Sequence, residues 1–102
     1  MIIREKTTLP VAANSSFVKV VVDVKKKILS MGCELHIDCA DELKNDGSKF
    51  ENLWGANIYP LEKRIDYVSM INIRPQIGNR SMEIQDGTIK EKVGEIIKSL
   101  LF

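Results

Sequence analysis

The sequence predicts an α+β fold, a two-layer, mostly antiparallel sheet of four to five strands with a C-terminal helix packed on one face. Two internal runs, 53–59 and 65–74, alternate apolar and polar residues as strands do, and the final segment repeats apolar residues at helical spacing. The chain has 102 residues, of which 44% are hydrophobic. That length and composition are typical of one folded core, so we expect a single domain over residues 1–102.

The N-terminal third is predicted with one ambiguity. "IIRE" at the start is a short strand. Residues 17–32 fit a helix that stops at Gly32, and they also fit two strands joined by "KKK"; the residue pattern alone slightly favours the helix. "CELHID" (residues 33–38) is predicted as a strand in both cases. "ADELKNDGS" follows as a short helical turn or loop that ends at Asp46-Gly47.

The two cysteines are predicted to be free thiols. On an extended strand Cys33 and Cys39 would lie roughly 20 Å apart. A disulfide needs Cα atoms within about 7 Å, so they could not bridge there. The start of the chain has no secretory signal pattern, and no apolar stretch approaches the roughly 20 residues that cross a bilayer. We therefore expect a cytoplasmic protein without a membrane partner.

The central runs, joined by "PLEKR", predict a hairpin whose register follows from its apolar residues. For the apolar sets to share a face, Trp54 must face Ile71 and Ile58 must face Tyr67. The face toward the helix layer is then Trp54, Ala56, Ile58, Tyr67, Ile71 and Ile73. The opposite, polar face carries Gly55, Asn57, Met70, Asn72 and Arg74, and Pro75 ends the second strand.

The C-terminal helix is the clearest element. Its apolar stripe consists of Ile89, Val93, Ile96, Ile97, Leu100 and Leu101. Asp86 is positioned to cap its first turn, or Thr88 and Glu91 form a capping box. Fifteen basic and fourteen acidic side chains leave a net charge of +1, and "KKK" is the only basic run. That balance argues against a nucleic-acid partner.

Three segments, "VVDVKKKILSMGCELHIDC", "DGSKFENLWGANIYP" and "SMINIRPQIGNRSMEIQD", resemble an uncharacterised prokaryotic domain-of-unknown-function family from about residue 17 to the C-terminal helix. The resemblance implies no reaction. It implies a helix just before residue 17, where this chain has "LPVAANSS". It also implies a hairpin turning at 25–27, with glycine where this chain has Lys27, and on that basis we predict the hairpin. His36, Trp54, Asn72, Arg74, Asn79 and Arg80 lie in the family's characteristic motifs.

The motif "INIRPQIGNRSMEIQD" suggests an anion site. Two guanidinium groups, two hydroxyl or amide side chains and a nearby helix start would suit a phosphate or carboxylate. We therefore predict a binding module for a small anionic ligand or an acidic partner segment, using Asn57, Asn72, Arg74, Asn79 and Arg80. In the alternative interpretation, Arg74 and Arg80 pair with Glu83, Asp86 or Asp66 and only fix the loop.

A second hypothesis uses the acidic segment "HIDCADELKNDG". Oxygen ligands suit Ca²⁺ or Mg²⁺, and a histidine would admit Mn²⁺ or Zn²⁺. A divalent-cation-binding protein or metal-dependent hydrolase would then use His36, Asp38, Asp41 and Asp46; a solvated acidic turn is the alternative. No other cofactor is evident, and no pattern identifies a catalytic residue. A third hypothesis is a structural or regulatory protein that covers its polar sheet face as a homodimer.

Overall fold

The computed structural model describes residues 1–8 and 17–102 and contains a five-stranded antiparallel sheet with a helix on each face. The strands are β1 (Ile2–Ile3), β2 (Val18–Asp23), β3 (Ile28–Met31), β4 (Leu53–Tyr59) and β5 (Arg64–Asp66), and the helices are α1 (His36–Asn45) and α2 (Gly87–Leu101). The sheet order is β1-β3-β2-β4-β5. The predicted fold class is confirmed. The predicted helix over "LPVAANSS" lies outside the described residues.

Residues 17–32 form the hairpin and not the helix. β2 and β3 pair antiparallel, with Val22 opposite Leu29. Asp23 organises the turn, because its Oδ1 accepts hydrogen bonds from the backbone N–H groups of Lys25 and Lys26. Lys27 then adopts a left-handed conformation with φ 59°. Glycine tolerates this conformation better than lysine does, which accounts for the glycine that the family resemblance implies at this position.

The α2 face of the sheet holds the larger core. Asp86 caps α2 as predicted, because its side chain accepts hydrogen bonds from the N–H groups of Thr88 and Ile89. The predicted parity of β4 is also confirmed on this face. The core comprises Val20, Val22 and Leu29 from the hairpin, Trp54, Ala56 and Ile58 from β4, and Val93, Ile96, Ile97, Leu100 and Leu101 from α2.

The predicted strand at 33–38 is wrong, because the chain turns after Gly32 and begins α1 at His36. Cys39, Ala40 and Leu43 share one side of α1 and are fully buried. They pack with Val21, Ile28 and Leu53 on the second face of the sheet. The face that the sequence left open is therefore partly covered by a helix.

The prediction of two free thiols is also wrong, since Cys33 and Cys39 form a disulfide. The reason is the turn: a reversal followed by a helix brings the two Cα atoms to 5.8 Å, whereas a strand would separate them by roughly 20 Å. The expectation of a cytoplasmic protein rested partly on free thiols, so it loses that support.

The second strand of the central hairpin is shorter than predicted. β5 ends at Asp66, and Ile58 lies opposite Ile65 rather than Tyr67. This shift of two residues preserves side-chain parity but removes the predicted pairing of Trp54 with Ile71. Beyond β5 the chain forms 3-10 turns at Met70–Asn72 and Pro75–Ile77. Ile71 packs with the α1-side cluster and Ile73 is exposed, so neither belongs to the predicted core face.

In the part of the chain that the structure describes, neither helix combines the length and the apolar character needed to cross a membrane.

Candidate ligand-binding pocket

Asn72 replaces the missing strand beside β4. β5 pairs only with Asn57–Tyr59, which leaves the edge of β4 before Asn57 without a strand partner. The buried Asn72 side chain accepts a 2.8 Å hydrogen bond from the Gly55 N–H and donates one of 3.0 Å to the Gly55 carbonyl. Its amide also donates to the Met82 carbonyl. One carboxamide thus satisfies backbone groups that would otherwise be buried without partners.

Arg74 continues this edge as a buried cation. Its guanidinium donates to the carbonyls of Ile71, Glu51 and Leu53. It stacks on two rings, 4.3 Å from the centroid of Phe50 and 4.4 Å from that of Trp54. Burial lowers the pKa of Arg74 to about 10, so the group remains charged at neutral pH. Carbonyl dipoles and aromatic faces therefore stabilise this charge.

Asn79 fastens the rest of the loop that runs from β5 to α2. Its amide nitrogen donates to the carbonyls of Asn72, Ser81 and Glu83, and its Oδ1 accepts from the Gln85 N–H. The side chain is 4% exposed, so it satisfies four backbone groups of its own chain out of reach of solvent. Asn79 is thereby a scaffold for the loop.

The structure brings three of the five predicted ligand residues together, and the chain's own backbone occupies their polar groups. Arg80 is exposed, and its N–H donates to Gln85 Oε1. The ion pairs of the alternative interpretation do not form either, because Asp66 pairs with Arg64, Glu83 pairs with Lys90 and Asp86 caps α2. Amides and carbonyls fix this loop. Asn57 alone of the five lines a pocket on the α1 side of the sheet.

That pocket has a volume of about 360 Å³, within the size range of small-molecule sites. Four segments form it: the start of β2, the end of β4, the turn into α1, and the loop after β5. The lining residues are Phe17, Lys19, Leu35, His36, Ile37, Asn57, Val68, Ser69, Met70, Ile71 and Met82. We call this the α1 pocket.

Gly55 allows the loop to form the wall of the α1 pocket. A Cβ atom at position 55 would lie 2.5 Å from the Ser69 Cβ and 3.2 Å from the His36 Cδ2. Two carbon atoms do not approach to 2.5 Å, so a side chain at position 55 would displace Ser69, and it would also crowd the His36 ring. This explains why a glycine interrupts an otherwise bulky apolar strand.

His36 and Asn57 provide polar groups in the α1 pocket. His36 Nε2 lies 2.9 Å from the Ala56 carbonyl, which can only accept, so Nε2 carries the proton. Burial lowers the pKa of His36; the Ala56 hydrogen bond opposes this, Lys19 adds to it, and the Asn57 side chain opposes it. The ring is therefore neutral at pH 7. Asn57 Oδ1 is buried and has no hydrogen-bond partner among the described residues.

We expect the stability of the protein to fall as the pH drops below 6.5, the ordinary pKa of histidine. The depressed pKa means that the unfolded chain binds this proton more readily than the folded chain. The contribution of neutral His36 is complete above the unfolded pKa and is lost as the pH falls through the folded pKa. Urea denaturation from about pH 7.5 to about pH 5 measures it. A His36→Gln variant should lack this part of the profile, and parallel profiles would contradict the assignment.

The predicted metal residues do not converge. Asp41 pairs with Lys44, Asp46 pairs with Arg4 at the far end of α1, and His36 donates to the sheet. Among residues 1–8 and 17–102, no group of three or more His, Cys, Asp or Glu side chains is placed to hold a metal ion.

The fold and the pocket define a class: a small α+β domain with an apolar pocket between one helix and its sheet. A family model described as "Protein of unknown function (DUF5674)" matches residues 2–100, and the chain belongs to that family. Comparison with curated proteins and with solved structures found no match.

Sequence reasoning missed most of the pocket. Of its lining residues only His36 and Asn57 were predicted as site residues, and the missed ones are Phe17, Lys19, Leu35, Ile37, Val68, Ser69, Met70, Ile71 and Met82. No local signal separated the two structures, since Leu35 and Ile37 are two residues apart and would share one face of a strand. The α1 pocket depends on a helix start that alternation in "CELHID" concealed.

Proposed function

We propose that this protein binds a small amphipathic carboxylate, a molecule with an apolar body and one anionic group, in the α1 pocket. The observation that carries the proposal is the pocket itself, an apolar cavity with few polar groups. The proposal keeps the small anionic ligand that the sequence suggested. The ligand would lie in the α1 pocket beside Asn57 and not at Asn72, Arg74 and Asn79, which serve as the scaffold.

Exposed apolar side chains surround the α1 pocket. Five large ones line it although each is at least a third exposed: Phe17, Leu35, Ile37, Met70 and Met82. Met70 is 74% exposed. Apolar side chains clustered around a cavity are typical of a binding site, and methionine adapts its shape to ligands. The apolar body of the ligand would cover these side chains.

The charge of the α1 pocket lining favours an anionic ligand. Lys19 is the one charged side chain among the described residues that line the α1 pocket, since His36 is neutral. Its Nζ lies 5.1 Å from the centroid of the Phe17 ring, at the pocket wall. A ligand carboxylate near Lys19 would gain an ion pair in surroundings that are largely apolar, where the attraction is less screened than in water.

The Asn57 side chain favours a ligand that carries a polar group close to its carboxylate. Its buried Oδ1 lacks a partner among the described residues, and a buried acceptor without a hydrogen bond is costly. A hydroxyl or N–H next to the carboxylate of the ligand would satisfy it.

Fluorescence titration with anilinonaphthalene sulfonate tests the proposal, because this probe joins an aromatic body to one anionic group. We expect saturable binding by the folded protein. Met70→Ser should raise Kd about tenfold through lost apolar contact, and Lys19→Gln should also raise it. Leu61→Ser and Lys25→Gln are the matched controls, because both residues are exposed and neither lines the α1 pocket. Equal effects of Met70→Ser and Leu61→Ser would overturn the proposal.

The predicted homodimer leads to a different expectation for the surface around the α1 pocket. Two copies meeting through the α1 pocket would cover its apolar rim and exclude the probe. Size-exclusion chromatography with light scattering separates the two: a monomer that binds the probe supports the ligand proposal, and a dimer that Met70→Ser dissociates contradicts it.

A further inference from the structure

We propose that the Cys33–Cys39 disulfide controls the α1 pocket, so that ligand binding depends on thiol redox state; this inference rests on the proposed function. The bridge closes a short loop, and the three residues at its centre are Leu35, His36 and Ile37. All three line the pocket. The covalent loop is thus one wall of the binding site.

Few other contacts hold this wall. The residue before α1, Leu35, has no side chain that caps the helix, and its exposed fraction is 58%. The Leu35 carbonyl accepts a hydrogen bond from the Asp38 N–H within the same loop. The hydrogen bond from His36 to the Ala56 carbonyl ties the loop to the sheet. The disulfide is the second tie, because it links the start of the loop to the buried side of α1.

The two cysteines differ in their exposure to solvent. Cys39 is fully buried among Ala40, Leu43 and Leu53 on the α1 side of the core. Cys33 is half-buried and precedes the helix. A thiol reagent therefore reaches Cys33 first, while Cys39 keeps α1 anchored whether or not the bridge is present.

A small dithiol would carry out the switch by thiol–disulfide exchange. Its thiolate attacks the Cys33 sulfur, the bond to Cys39 breaks, and Cys39 leaves as a thiolate that takes up the proton the reductant released. The second thiol of the reductant then displaces Cys33, which becomes a free thiol. The reductant ends as a disulfide, so two electrons and two protons pass to the protein.

Loss of the bridge frees Cys33 and allows residues 33–37 to move away from the sheet. Leu35 and Ile37 then no longer contact a bound apolar group. We expect the reduced protein to bind the probe about tenfold more weakly, the change expected when one or two apolar side chains leave a ligand contact. Short loops at the end of a helix open most readily, so the sheet and α1 beyond Ile37 should remain folded.

The test titrates anilinonaphthalene sulfonate into the air-oxidised protein and into the same protein held in dithiothreitol, with far-UV circular dichroism recorded on both. A Cys33→Ser/Cys39→Ala double variant serves as the control. It should bind as weakly as the reduced protein, and dithiothreitol should not change its affinity, which separates the bridge from any direct effect of the reductant.

The outcomes distinguish the two proposals. An oxidised protein that does not bind the probe would overturn the proposed function itself. Equal affinities of the oxidised and reduced forms would overturn redox control and leave the proposed function standing. Global loss of circular dichroism on reduction would also overturn it, because the bridge would then support the whole fold rather than the pocket wall.

Discussion

Replacement of Arg74 by methionine lowers the free energy of unfolding by about 3 kcal/mol or more. Methionine fills part of the space between Phe50 and Trp54 but cannot donate a hydrogen bond. The carbonyls of Glu51, Leu53 and Ile71 then lose their donor, and the stacked cation disappears. Urea denaturation followed by circular dichroism measures the loss as a lower transition midpoint.

Two further variants test whether the buried guanidinium of Arg74 causes that loss of stability. Arg74→Lys should also destabilise, because a single ammonium cannot reproduce the guanidinium fork or its stacking. Arg80→Met removes an exposed arginine from the same motif and should change stability by less than about 0.5 kcal/mol. Unchanged stability of Arg74→Met would show that Arg74 is no scaffold and would return it to the candidate ligand residues.

Replacement of Asn72 by alanine lowers the free energy of unfolding by about 3 kcal/mol. The substitution orphans the N–H and the carbonyl of Gly55 and removes a donor to Met82 in a fully buried position. Asn72→Asp should be at least as damaging at neutral pH, because a carboxylate would face the carbonyls of Gly55 and Met82. Thermal and urea denaturation of both variants measure the effect.

The Asn72→Asp variant also tests the hydrogen bonds that the Asn72 amide donates to the carbonyls of Gly55 and Met82. Protonation of the new carboxyl supplies one donor, so acidification should narrow its stability difference from wild type. Asn45→Asp, at the exposed end of α1, is the matched control and should cost less than about 0.5 kcal/mol. Equal effects at positions 45 and 72 would contradict the proposed role of Asn72 beside β4.

Local periodicity explains which elements the sequence predicted. α2 repeats apolar residues over four turns, and β4 alternates around Trp54 and Ile58, so each contains its own signal. α1 has no comparable signal at its start, because "CELHID" alternates like a strand. Its helical state depends on burying Cys39 and Leu43 against the sheet, a tertiary contact that a short stretch of sequence does not reveal.

The end of β5 was unpredictable for a related reason. Residues 65–74 have the alternation of a strand, but the Asn72 side chain forms the hydrogen bonds with Gly55 that a strand backbone would form. Nothing local distinguishes a polar strand face from polar side chains that turn inward to bond an edge. Most of the predicted ligand residues therefore lie in a motif whose polar groups are used for folding.

The α1 pocket could not be predicted because its residues come from separate segments. Phe17 precedes β2 and Lys19 lies near its start. Leu35 and Ile37 flank the start of α1, and Met82 lies far along the chain. Only the sheet order and the return of the loop across β4 bring them together. Asn57 was found because strand parity alone places it on that side.

The central claim is that the "INIRPQIGNRS" segment is a scaffold and that ligands bind in the α1 pocket beside it. Methyl NMR of protein labelled at its four methionines tests this most directly, during titration with anilinonaphthalene sulfonate. Met70 and Met82 line the pocket, whereas Met31 lies in the α2 core and Met1 at the far edge of the sheet. We predict saturable shifts of the Met70 and Met82 methyl signals with Met1 and Met31 unmoved. Saturation that moves Met31 or Met1 while Met70 and Met82 stay fixed would contradict the account.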